Sequence, residues 1–337
     1  RGFTPELRAF DLVNLGKATL EKYQKLGFLA ALALPDKGIL TGQASVFSLS
    51  DPDKAKALIL KDSALGIGFL ASSFPVYPSS LMGTVAFLRQ EFADVAYASL
   101  QNDRWRKAMK GNIRPAYNAR HEAMVHFVSG AKPVVFFCRN QHDIRRALEL
   151  ASEFKLDAFI CDLGSEAFEV IPELLKAKAR VLCTVAFKAP GTSLYAQRGK
   201  AEREKAEKEV YPRNPARLAE AGVPFAFSSF GTDDPKSFME GVLKAVEAGL
   251  PKEKALAALT ATPAAFFGLD GALGSIAPGK IANLVLAEDD LLAKDTPGLS
   301  PRPCRSRARG ARGTSLSQPC SSAPGAPHPE RHLHAEV

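Results

Sequence analysis

The chain has 337 residues and a net charge of +8, with 46% hydrophobic and 24% charged residues. These proportions belong to a folded globular protein and exclude a collagen, a coiled coil and a chain disordered throughout. No uninterrupted apolar stretch reaches the roughly eighteen residues that a membrane span needs, so the chain reads as soluble, with no membrane partner expected.

The chain begins at Arg1 in mid-pattern, and no signal peptide is read there. Residues 15–26 carry Leu15, Leu20, Tyr23 and Leu26 at helical spacing, and Gly27 stops that helix before the buried-strand run 28–34. A second apolar stretch covers 44–49. A helix is expected over 79–98, with Leu81, Val85, Leu88, Phe92 and Val95 on one face. From Ala119 the alternation becomes regular: helix to Val128 then strand 134–138, helix 143–154 then strand 158–161, helix 166–176 then strand 180–185. A helix ending at Gly222 precedes the strand 223–228, and helices follow over 235–248, 252–259 and 263–267. Short strands buried on both faces and separated by amphipathic helices predict a parallel sheet covered by helices. Their number favours a (β/α)8 TIM-type barrel over an open doubly wound sheet.

No G-x-G-x-x-G follows the first strand and no G-x-x-x-x-G-K-[ST] occurs, so the turns that cradle dinucleotides and nucleotide phosphates are missing. Residues 198–209 pair opposite charges four apart, the pattern of a solvated helix face. The five cysteines include no C-x-x-C pair, which excludes a zinc knuckle. Cys138, Cys161 and Cys183 nevertheless each end a successive strand, and would form a soft-metal or redox site if all three pointed inward. His121 and His126 stand five apart, which does not align them on a helix face. His142 is expected at the solvated mouth of the barrel.

After Thr296 every periodic signal stops. The segment 297–337 holds seven of the 23 prolines and no aromatic residue, and reads as a disordered basic tail translated out of frame. Its arginines (Arg302, Arg305, Arg307, Arg309, Arg312) lack aromatic interleaving, and no nucleic-acid partner is expected.

The segment Ala255-Leu-Ala-Ala-Leu-Thr-Ala-Thr-Pro-Ala-Ala-Phe-Phe-Gly-Leu-Asp270, followed by Leu273-Gly-Ser-Ile-Ala-Pro-Gly-Lys-Ile-Ala-Asn-Leu-Val-Leu286, resembles the C-terminal signature of the amidohydrolase superfamily, especially its imidazolonepropionase-like branch. Asn214-Pro-Ala-Arg-Leu-Ala-Glu-Ala-Gly-Val-Pro224 and Lys132-Pro-Val-Val-Phe-Phe-Cys138 extend the resemblance upstream. It implies a barrel over 1–271, incomplete at its N-terminus, with a remnant of the small composite β domain over 272–296, where Ile276 and 284–286 would pair as strands. It also implies hydrolysis of non-peptide C–N bonds by a water activated on zinc or another divalent metal. The family's ligands are a His-x-His pair on strand one, a His on each of strands five and six, and an Asp on strand eight.

Strand one is expected to lie before Arg1, and the His-x-His of His332-Leu-His334 falls in the tail. Phe137 stands where the strand-five His belongs, and Phe230 where the strand-eight Asp belongs. The strand-six position falls near Asp162 or Leu163. The chain is therefore expected to be an inactive pseudoenzyme without a cofactor, structural within a longer or multi-copy protein, its partner a second amidohydrolase-type domain or another copy. The alternative is an active hydrolase with substituted ligands: Asp162, Asp233 or the three cysteines. Asp233 and Asp234 already have a structural use as helix N-terminal carboxylates before Pro235.

Overall fold

The computed structural model describes residues 2–69, 77–111, 113–188, 199–285 and 290–292, together with the backbone of 334–336. In chain order the described strands are β1 (Ala30–Leu34), β2 (Leu40–Gln43), β3 (Ser45–Ser48), β4 (Leu58–Leu60), β5 (Leu65–Gly68), β6 (Val134–Cys138), β7 (Ala158–Asp162), β8 (Arg180–Thr184), β9 (Phe225–Ser228) and β10 (His334–Glu336). They form a six-stranded sheet in the order β2-β5-β6-β7-β8-β9 and a four-stranded sheet in the order β10-β1-β3-β4. From β5 to β9 every pairing is parallel, whereas β2 meets β5 antiparallel and the smaller sheet is antiparallel throughout.

The two sheets run into each other. β2 and β3 are one stretch of chain bent at Ala44. Ala44 N donates to Ala64 O at 2.7 Å and Ser63 N donates to Ala44 O at 2.8 Å, so hydrogen bonding continues across the bend. Among the described residues no ladder joins β9 to β1 or β10. The architecture is thus mixed α/β around a parallel sheet.

The helices fall where the apolar spacing puts them, with differences at the ends. The helix expected over 79–98 runs from Leu81 to Lys107, opened by Ser80, whose Oγ accepts from Gly83 N at 3.1 Å. The one expected over 166–176 splits into a 3-10 turn, Ala167–Val170, and a helix, Ile171–Ala177, with Pro172 in its first turn. Proline has no N–H to continue the preceding turn, and its fixed φ suits a helix start. Helices Gln141–Phe154, Asn214–Glu220, Pro235–Glu247, Lys252–Leu259 and Ala261–Phe266 complete the set used below.

Parallel strands alternate their side chains between two cores. Phe136, Cys138, Ile160, Val181, Cys183 and Phe227 face the helix layer, packing with residues such as Ile144, Leu174 and Val242. Val135, Phe137, Phe159, Cys161, Leu182 and Ala226 face the other way, into a second core closed by Leu34, Ala44, Phe230 and Phe266.

Gly66 shows how tightly that inner core is filled. A Cβ there would stand 2.1 Å from Thr41 Oγ1 and 3.1 Å from Phe137 Cε2. Gly66→Ala should therefore cost about 2 kcal/mol through overpacking, read as a lower urea midpoint with an unchanged slope. Unaltered stability would mean that the Phe137 ring has room to spare.

One expectation is corrected. Ile276 lies in irregular backbone and is 89% exposed, so among the described residues it forms no strand of a C-terminal β domain. A surface turn held by Lys280, which donates to Asp270 O and to Ser275 Oγ, occupies that place. The tail expected to be disordered lies outside the described residues except for His334–Glu336, which pair antiparallel with β1, Leu32 opposite Glu336 and Leu34 opposite His334. The unpaired edge of β1 accounts for this, because any extended backbone can satisfy it irrespective of composition.

Candidate active site at the strand ends

The parallel register aligns the residues of interest in two rows on opposite faces of the sheet. One row reads Gly68, Phe137, Cys161, Leu182, Ala226 across β5 to β9, and it faces the inner core. The other reads Cys138, Asp162, Cys183, Phe227, and it faces the helices.

Phe137 and Phe230 are brought together. Their ring centroids are 5.0 Å apart with planes at 78°, an edge-to-face contact, and they are 6% and 3% exposed. The backbone of Phe230 is fixed from two strands: Thr184 Oγ1 donates to its carbonyl, and its own N–H donates to Ser228 Oγ at 3.3 Å. The buried hydroxyls at the ends of β8 and β9 are thus spent on aiming this ring. Gly231 follows with φ of +80°, a conformation that lets the chain turn away at once.

Asp162 is fully buried, but on the helix side of the sheet. Its Oδ1 accepts from Glu166 N at 3.1 Å, and its Oδ2 accepts from Ala167 N at 2.9 Å and from Asn214 Nδ2 at 2.9 Å. Asn214 Nδ2 also donates to Cys183 Sγ at 3.3 Å, and Asn214 Oδ1 accepts from Phe168 N at 3.0 Å. Burial pushes the Asp162 carboxyl up to about 6, against the opposing pull of these backbone and Asn214 donors. The network closes the turn from β7 into the 3-10 helix and ties it to helix Asn214–Glu220. Its role is that of a cap.

The other polar groups of this rim do the same. Glu166 Oε2 accepts from Gln141 N at 3.1 Å, and Asn140 Oδ1 accepts from His142 N and Asp143 N at 3.0 Å each, so both hold the start of helix Gln141–Phe154. Asp143, its carboxyl raised by burial, accepts from Arg139 N and meets Arg146 at 2.8 Å. Asp234 opens helix Pro235–Glu247, accepting from Ser237 N at 2.7 Å, and that bond holds its carboxyl below the usual range.

The substituted ligands do not converge. Cys138 and Cys183 lie on the helix side, flanking Asp162, while Cys161 lies on the inner side between Phe137 and Leu182. This corrects the idea of three inward thiols, because side chains alternate along a strand and Cys161 is offset by one residue from the register row of the other two. Burial pushes the Cys138 and Cys183 thiols well up, the opposite of what a ligating thiolate needs. Asp233 has an 85% exposed side chain, 3.6 Å from Lys188 Nζ. Leu163 packs against the inner core. His121 sits 4.0 Å from Glu91, and His126 and His142 are exposed. Among the described residues no three His, Cys, Asp or Glu side chains come together as a metal site.

The fit of a divalent ion can be judged from the donors. The inner row offers one phenyl ring, a leucine, an alanine and one thiol, with the Phe230 ring packed against it, while Asp162 turns to the helix side and spends both oxygens on N–H groups. That set does not fit the metal that the family resemblance implies, since zinc needs several lone-pair donors directed at one point. Spacing alone did not reveal the Asp162, Asn214 and Glu166 network. Asn214 stands in the first turn of its own helix and bonds across to Phe168 N and Asp162, a long-range role that local sequence does not mark.

Residues 161–304 match the amidohydrolase family. No curated protein matches the chain. Among solved structures, an amidohydrolase from Thermotoga maritima shares the fold with a TM-score of 0.71 and 23% identity, over 85% of this chain and 73% of that one. A Xaa-Pro dipeptidase with bound methionine overlaps at a TM-score of 0.37 and 18% identity, over 54% of this chain and 46% of its own. A metal-dependent hydrolase from Pyrococcus furiosus overlaps at 0.37 and 15%, over 52% of this chain and 36% of its own. The chain thus spans less than half the length of the last two. Residues 161–304 are thus similar to the amidohydrolase family, and the fold of the chain is shared with an amidohydrolase.

Proposed function

We propose that this chain uses an incomplete TIM-type barrel of the amidohydrolase kind, resembling the imidazolonepropionase-like branch in its C-terminal signature, without metal-assisted hydrolysis. Its role in this reading is structural, as a packing partner of a second amidohydrolase-type domain or of another copy of the chain. The observation that supports it is the edge-to-face pair of Phe137 and Phe230, buried in the inner core at the strand ends. A metal-bound water needs a polar cavity there, and aromatic carbon takes up the volume instead. The reading with Asp162 as a substituted ligand has the capping bonds of that carboxylate against it.

The test is a hydrolysis assay of the purified chain with cyclic amides, imides and imidazolones, supplied in turn with Zn²⁺, Mn²⁺ and Fe²⁺. No turnover above the metal-only blank is expected. Metal-dependent turnover that survives Phe137→Leu and Phe230→Leu but is lost in Asp162→Asn or Asp233→Asn would overturn the proposal in favour of substituted ligands.

A further inference from the structure

The helix Leu81–Lys107 is fully buried only at positions in its first fifteen residues. Its buried residues are Thr84, Leu88, Phe92 and Val95, and none of the positions after Val95 is buried. At 1.5 Å per residue, the remaining twelve residues carry the helix about 18 Å past its last buried residue. Such an extension is costly to leave bare when it carries apolar side chains.

It does carry them. Tyr97, Leu100, Met109, Ile113 and Tyr117 are 63%, 57%, 57%, 95% and 80% exposed. Tyr97, Leu100 and Arg104 share one helix face, by their spacing of three, four and seven. The guanidinium of Arg114 lies 5.3 Å from the Trp105 ring, so the chain after the helix folds back on its end. Charge follows the same segment. Between Tyr97 and Tyr117 stand Arg104, Arg106, Lys107, Lys110 and Arg114, against the single carboxylate of Asp103. Among the described residues that carboxylate pairs with Arg106 at 3.8 Å, and Arg104, Lys107 and Lys110 form no ion pair.

We propose that this tip, the end of helix Leu81–Lys107 with residues 108–111 and 113–117, is a docking surface for an anionic lipid bilayer. Cations interleaved with exposed aliphatic and aromatic side chains fit the interface of such a bilayer, where the charges meet headgroups and the apolar groups enter the acyl boundary. Leu100, Met109 and Ile113 favour lipid over a nucleic acid, because aliphatic side chains give bases nothing to stack on. The docking is peripheral, since among the described residues no helix is long and apolar enough to cross a membrane. The expectation of no membrane partner rested on the lack of a spanning segment, which does not bear on this kind of contact.

The experiment is co-sedimentation of the full chain with phosphatidylcholine vesicles, with and without phosphatidylglycerol, and a vesicle-free control. Binding should need phosphatidylglycerol and fall as salt is added. Met109→Asp with Ile113→Asp, and separately Lys107→Ala with Lys110→Ala, should each weaken it about tenfold or more while leaving the melting temperature unchanged, because all four side chains are exposed. Binding unaltered in both variants would overturn the proposal and assign the attraction to the basic arginines beyond residue 300. Equal binding to neutral vesicles, no binding, or displacement of vesicles by single-stranded RNA held by the same residues would overturn it too.

Discussion

Replacing Phe137 by His and Phe230 by Asp in one variant is expected to destabilise the protein by more than about 5 kcal/mol and to create no metal site. Each ring is almost wholly buried, and loss of a buried Phe side chain costs about 3–5 kcal/mol before polar groups are considered. The imidazole and carboxylate would then enter a core of Leu34, Val135, Phe159, Leu182 and Ala226, whose apolar side chains offer them no hydrogen bonds. The two positions touch, so the sum of the single variants should differ from the double by about 1 kcal/mol, in a cycle read from urea unfolding. A double variant as stable as the parent would mean that the strand ends enclose polar space.

The second large effect is expected at Asp162. Asp162→Ala should cost about 3–4 kcal/mol, because it leaves the N–H groups of Glu166 and Ala167 and one amide hydrogen of Asn214 without their buried acceptor. The pH dependence carries a sign opposite to that of an ordinary paired carboxylate. The folded value of about 6 lies above the ordinary one of 3.8, so the native state binds this proton more tightly than the unfolded chain does. The contribution is fully favourable only below the unfolded value and is lost as pH rises through about 6, an amount on the order of 3 kcal/mol between pH 3.5 and 7. Asp162→Asn keeps the shape and removes the titration. Its stability should fall less steeply with rising pH than the parent's, and parallel curves for the two proteins would refute the assignment.

Much of the parallel sheet was legible because β6 to β9 are apolar on both faces and are spaced by amphipathic helices, a pattern that leaves few other folds. The strands before them were harder. β2 and β5 are short and glycine-bearing, and glycine both weakens a strand signal and is required here, since Thr41 and Phe137 crowd Gly66. β10 was invisible because backbone pairing at an edge leaves no mark in side-chain pattern. At the candidate site, family spacing singled out Phe137 and Phe230, two residues more than ninety positions apart that turn out to touch. It could not tell which face Asp162 or each cysteine occupies. A one-residue offset decides that, and register is a property of pairing rather than of the single strand.

The most direct measurement is elemental analysis of the purified chain after equilibration with zinc and removal of the free ion, performed on the parent and on Phe137→His with Phe230→Asp. The account predicts no stoichiometric metal in either, because the inner row lacks converging donors and the Asp162 carboxylate is committed to N–H groups on the opposite face. One tightly held zinc per parent chain, lost on Asp162→Asn or Asp233→Asn, would contradict it.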